Sequence, residues 1–89
     1  MKRVRVLVAG RVQGVFYRST CAEAARRLGV TGFVRNLPDG RVEGAFEGAD
    51  ADVDRMIAWC RRGPDLARVD EIQVDPEPVR GDAAFRVTG

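Results

Sequence analysis

The sequence predicts an α+β sandwich: one antiparallel sheet with two helices on one face. Three observations carry that prediction. Apolar residues recur every second position in the opening stretch and around a Pro-Asp-Gly turn, two segments carry helical spacing with clear end signals, and the order of these segments is β-α-β-β-α-β. At 89 residues the chain is one domain, 1–89, large enough to bury a core without disulfides or metal.

Residues 3 to 9 form the first strand, with Val4, Val6 and Val8 on one face and Arg3, Arg5, Leu7 and Ala9 on the other. Leu7 and Ala9 make its second half apolar on both faces, which places it inside the sheet. It runs into Gly10-Arg11-Val12-Gln13-Gly14-Val15-Phe16-Tyr17-Arg18, a turn ahead of a helix. That stretch reads either as a structural turn or as an anion cradle, because a loop at a helix N-terminus can converge its backbone N–H groups.

The first helix is expected from about Ser19 to Leu28, with Val15 or Phe16 as an alternative start. Thr20 and Glu23 have capping-box spacing, and Gly29 suits a left-handed end. Cys21, Ala25 and Leu28 share its inner face. Val30–Leu37 and Arg41–Gly48 then form a hairpin about Pro38-Asp39-Gly40, three turn formers in succession. Its second strand alternates Val42, Gly44 and Phe46 with Arg41, Glu43, Ala45 and Glu47, so one sheet face is expected to be wet.

A second helix is expected from Asp52 to Arg62. Asp50, Asp52 and Asp54 lie at its start, Arg61 and Arg62 in its last turn, and Gly63-Pro64 stops it. Val53, Met56, Ile57 and Cys60 point inward. Ala67 to Asp75 reads as a strand with an irregularity near Asp70-Glu71, broken by Pro76-Glu77-Pro78. Ala84 to Thr88, with Phe85 and Val87 on one face, makes a short C-terminal edge strand. The element order is the ferredoxin-like pattern.

Composition narrows the chemistry. Apolar residues make up 45% and charged residues 31%, an ordinary globular mixture, and neither a membrane span nor a signal peptide is expected. The expectation is a soluble, cytoplasmic monomer. The net charge is only +2, weak support for nucleic-acid binding, and the exposed face of the strands offers charged groups rather than stacking rings, so no nucleic-acid partner is expected. There is no histidine, which removes the commonest general base and metal ligand. Cys21 and Cys60 read as two reduced, buried thiols and no metal is expected.

Other phosphate motifs fail. Gly10 and Gly14 have neither Walker spacing nor a lysine before Ser19, and a dinucleotide fingerprint lacks its third glycine. Cys21 and Arg27 have Cys-x5-Arg spacing, but the residues between them are helix formers that leave no N–H groups for an anion. Asn36, just before the turn, is either a turn residue or a carboxamide that orients a water. Its strand end is expected to reach the glycine loop only if the two strands are neighbours.

Gly10–Arg18, followed by Gly32-Phe33-Val34-Arg35-Asn36-Leu37-Pro38-Asp39-Gly40-Arg41-Val42-Glu43, resembles the two signatures of the acylphosphatase family in order, and the likeness covers the whole chain. Tyr17 stands where many members have phenylalanine, and the chain ends at Gly89 without the aromatic terminus of some members. The resemblance implies hydrolysis of small acyl phosphates to carboxylate and phosphate, without metal, cofactor or covalent intermediate. It implies that backbone N–H groups of Gln13, Gly14, Val15, Phe16, Tyr17 and Arg18 bind the phosphoryl oxygens. Arg18 would clamp them through its guanidinium, and Asn36 would hold the attacking water.

Overall fold

Strand β1 (Lys2–Arg11) is interior, as its two-sided apolar second half requires: it pairs antiparallel with β3 (Val42–Gly48) and with β4 (Arg68–Glu77). The computed structural model describes residues 1–89. Helix α1 (Tyr17–Leu28), strand β2 (Thr31–Asn36), helix α2 (Asp50–Arg62) and strand β5 (Phe85–Thr88) complete the chain, and the sheet order is β4-β1-β3-β2-β5. The β2–β5 pair is parallel, so the sheet is mixed rather than purely antiparallel. The ferredoxin-like β-α-β-β-α-β order with a C-terminal edge strand is otherwise as expected.

Pairing register explains the core. Val4, Phe46, Gly32 and Phe85 lie in one row across four strands on the helix side. Gly32 adds no side chain to its place in that row, and the Phe46 and Phe85 rings stack there at 5.7 Å. Val6, Val8, Val34 and Val42 meet Cys21 and Ala25 from α1 and Val53, Met56 and Cys60 from α2. The small residues of α1 let that helix approach the sheet closely.

Several expected boundaries move for local reasons. Helix α1 begins at Tyr17, and its N-cap position is Phe16 in a left-handed conformation with φ 63° and no side-chain cap. No capping box forms; the Thr20 hydroxyl instead donates to the Phe16 carbonyl at 2.7 Å. Pro76 does not break β4, because β4 is an edge strand and its proline, opposite Val4, forfeits no ladder bond that the sheet needs. The expected irregularity is a bulge: Ala9 pairs with Glu71 and Gly10 with Val69, leaving Asp70 extra. Gly10 sits against it at φ 133°, where a Cβ would run into the Arg68 carbonyl and come within 2.8 Å of the Asp70 nitrogen.

The largest departure is the outer sheet face, which is not simply wet. Arg3, Glu43 and Glu47 are almost completely buried there. Arg3 bonds Glu77 through Nε at 2.9 Å, and Glu47 at 3.3 Å and Asp82 at 2.9 Å through Nη1. Glu47 also accepts the backbone N–H groups of Arg80 and Gly81, at 2.7 and 2.8 Å. Glu43 accepts Nε of both Arg5 and Arg35 at 2.6 Å. Alternation alone reads these positions as exposed, whereas pairing lets the charges cover one another.

Candidate active site

Beyond β1 the chain swings across the end of β3 towards β2. Gly14 supplies the reversal at φ 73°, and Phe16 makes a second left-handed step. A non-glycine residue there is strained by about 1–2 kcal/mol. The Phe16 carbonyl repays part of that by accepting the Thr20 amide at 3.1 Å and both the Ser19 and Thr20 hydroxyls. Alternating the sign of φ turns successive N–H groups towards one concavity. None of the N–H groups of Gln13, Gly14, Val15, Phe16, Tyr17 or Arg18 donates to an acceptor within the protein; the first helical bond is that of Thr20. Those donors lie at the positive end of α1.

The sequence left the distance from this loop to Asn36 conditional on neighbouring strands. β1 and β2 are not neighbours, since β3 lies between them. The loop nonetheless reaches Asn36: Val12, Gly14, Phe16, Tyr17, Arg18 and Ser19 line a pocket of about 340 Å³ together with Asn36 and Val87. Asn36, the last residue of β2, pairs with Val42, the first of β3, and Val42 with Val8 on β1, which runs on past that row to Arg11 before the loop begins.

Within the pocket Arg18 is the charged residue, and no carboxylate lines it. Its Nη1 donates to the Gly89 carbonyl at 3.1 Å, which leaves its other guanidinium N–H groups available. The Asn36 Oδ1 is buried and has no hydrogen-bond partner in the protein. Such an acceptor costs roughly 1–3 kcal/mol when it stays unpaired. A loop of free backbone donors, a guanidinium and an orphan acceptor therefore gather around one cavity.

A side-chain role for Gln13 escaped the sequence reading, which assigned only its backbone. Its carboxamide Nε2 donates to the Leu37 carbonyl at 2.8 Å and to the Arg41 carbonyl at 3.0 Å, tying the loop to the mouth of the hairpin that carries Asn36. A glutamine between two glycines carries no local signal of such a contact. Tyr17 behaves differently. It lines the pocket, yet its ring is buried edge-on to Trp59 at 5.1 Å, and its hydroxyl donates to the Cys60 carbonyl at 2.8 Å. Burial holds that phenol protonated well above its usual range.

Both cysteines are buried free thiols. The Cys60 side chain beside it, together with burial, pushes the Cys21 thiol well above its ordinary pKa, which disqualifies it as a nucleophile. Nowhere do three His, Cys, Asp or Glu side chains gather to hold a metal ion. No helix is long and apolar enough to cross a membrane.

Comparison with known proteins settles the lineage. The family profile described as Acylphosphatase matches residues 4–87. The chain belongs to the acylphosphatase family. It is 61% identical over 82 residues to the acylphosphatase of Methylococcus capsulatus, covering 92% of this chain and 89% of that one. To the acylphosphatase of Rubrobacter xylanophilus it is 58% identical over 82 residues, covering 92% and 74%. The crystal structure of acylphosphatase from Bacillus subtilis superposes with a TM-score of 0.96 over the full length of both chains at 30% identity. An acylphosphatase structure from Coxiella burnetii gives 0.94 at 33% identity, over 98% of this chain and 92% of that one.

Proposed function

We propose that this family member is an acylphosphatase that hydrolyses the carboxyl–phosphate bond of small acyl phosphates at the pocket lined by Arg18 and Asn36. The phosphoryl oxygens take the N–H groups of Gln13 to Arg18, and Arg18 adds a forked, permanent positive charge. Asn36 Oδ1 accepts a hydrogen bond from a water and aims its oxygen at phosphorus. The new P–O bond forms as the bond to the acyl oxygen breaks, and that electron pair leaves on the carboxylate. The water gives up its protons to the phosphate and solvent. A carboxylate leaving group needs no general acid near neutral pH, so positioning and charge stabilisation suffice and neither histidine nor metal is called for.

The observation that carries this reading is the pairing of two opposite kinds of unsatisfied group in one pocket: donors without acceptors in the loop and an acceptor without a donor on Asn36. The test is hydrolysis of benzoyl phosphate with and without a chelator. Equal turnover in both is expected, and turnover only with added divalent ion would overturn metal independence. Asn36→Ala is expected to keep inhibition by inorganic phosphate while kcat falls by roughly a hundredfold, as for loss of an oriented polar group in a reaction site. An unchanged kcat would remove Asn36 from the mechanism.

A further inference from the structure

The outer face of the sheet holds a second hollow, of about 510 Å³, on the side away from α1 and α2. Register sets its shape. Arg5 pairs with Ala45, Ala45 with Phe33, and Phe33 with Arg86, one row across β1, β3, β2 and β5. Strand alternation puts all four side chains on the outer face. Ala45 is buried beneath its neighbours, and the dish lies among the longer side chains around it. Phe33 is the one hydrophobic residue of its lining.

The uncommitted charge in this dish is positive. Arg5 and Arg35 spend only Nε, on their shared Glu43, and their side chains are 39% and 47% exposed. Arg86 makes no side-chain hydrogen bond or ion pair, and Arg80 contributes only its backbone N–H, to Glu47. The nearby acids are already used, Glu77 and Asp82 by Arg3 and Glu43 by the two arginines. In the lining lies Arg3, with a side chain of 0% exposure whose Nη2 is buried and finds no partner in the protein. A buried guanidinium N–H without an acceptor is costly to leave unmade.

We propose that this dish is a binding site for a nucleoside monophosphate, distinct from the acyl phosphate pocket. The planar base stacks on Phe33 between the flat guanidinium groups of Arg5 and Arg86. The phosphate takes the free N–H groups of Arg35 and Arg80, which match phosphate oxygens in pairs. A bare anion would leave Phe33 unused, and an uncharged ring would leave the arginines unused. The volume suits a ligand of this size. Asn36 Oδ1 and the loop N–H groups lie on the other side of the sheet, so occupancy here does not depend on the chemistry proposed for them.

The test uses full-length protein carrying Arg18→Gln, which weakens phosphate capture at the loop. Titration with AMP, read by backbone amide chemical shifts, is expected to move Phe33, Ala45 and Arg86 in a saturable way. Adenosine and inorganic phosphate are each expected to bind these positions at least tenfold more weakly than AMP. Phe33→Ala and, on the exposed edge strand where folding is not at stake, Arg86→Gln are each expected to weaken AMP at least tenfold. Shifts confined to residues 13–18, equal binding of inorganic phosphate at the dish, or AMP affinity that survives Arg86→Gln would overturn the proposal.

Discussion

Two polar regions of this small domain solve opposite problems. In the loop from Gln13 to Arg18 the backbone donors are left without acceptors, one residue is strained, and the adjacent Asn36 oxygen is unpaired. Around Arg3 nearly every donor and acceptor is used: one guanidinium holds Glu47, Glu77 and Asp82, and Glu47 holds the backbone of Arg80 and Gly81. The first arrangement lowers stability and leaves its donors open; the second fastens the β4–β5 connection to the sheet. The contrast teaches where to look for chemistry, since each region holds one buried unpaired atom, Asn36 Oδ1 and Arg3 Nη2, and what separates them is the run of backbone donors without acceptors in the loop.

Breaking the fastened region has the largest expected effect. Arg3→Leu leaves Glu47 buried without its counter-charge and is expected to cost about 3–5 kcal/mol of stability in denaturant unfolding. A loss under about 1 kcal/mol would show that the cluster is replaceable by apolar packing. The same cluster makes stability depend on acid. The Arg80 and Gly81 N–H groups, together with Arg3, hold the Glu47 carboxyl below the 4.5 ordinary for glutamate. Its contribution is therefore complete above pH 4.5 and disappears as pH falls through the lower folded-state value. Glu47→Gln is expected to flatten the unfolding profile in that window.

Removing charge from the open region comes next. Arg18→Gln is expected to lower kcat for an acyl phosphate by roughly a hundredfold to a thousandfold, about 3–4 kcal/mol of transition-state stabilisation, with little change in melting temperature. A variant that lost stability and kept kcat would invert the comparison, making Arg18 a partner of the Gly89 carbonyl rather than of the substrate.

How much of each region could be read in advance follows from the range of the interactions. The hairpin turn, the Gly29 cap and the acidic start of α2 depend on neighbours within a few residues, and they stand where local chemistry puts them. The loop was legible because Gly14, the helix behind it and Arg18 are consecutive. The proximity of Asn36 was not, since it depends on β3 entering between β1 and β2 and on the loop crossing its end. Buried Arg3 and Glu47 were misread for the same reason: each is a charged residue on an alternating strand, and only the register that sets them opposite one another removes them from water. Gln13 is the middle case, a residue of the legible loop whose side-chain contact is 24 residues away.

That middle case gives a smaller, sharper test. Gln13→Ala removes the tie between loop and hairpin without touching the backbone donors, and a tenfold fall in kcat is expected, about 1.4 kcal/mol. Because the tie acts by placing the loop against Asn36, the effect should vanish when Asn36 is already alanine. A double-mutant cycle measures this directly. Losses that simply add would mean that Gln13 supports the loop but not its register with Asn36.

The smallest effect concerns the cost of holding donors unpaired. Gly14 is left-handed at φ 73°, and a Cβ there would meet nothing within 4 Å, so Gly14→Ala adds strain and no clash. An L-residue in that conformation costs about 1–2 kcal/mol. If the loop is rigid before substrate arrives, the cost falls on folding and the melting temperature drops by about 4–8 °C per kcal/mol. If the loop takes its shape only around phosphate, the cost falls on the inhibition constant of inorganic phosphate instead. The Gln13 bonds to Leu37 and Arg41, and the bonds converging on the Phe16 carbonyl, hold the loop from both ends. The melting temperature is therefore expected to absorb the loss. A stable variant with weakened phosphate inhibition would mean that the donors converge only when an anion gathers them.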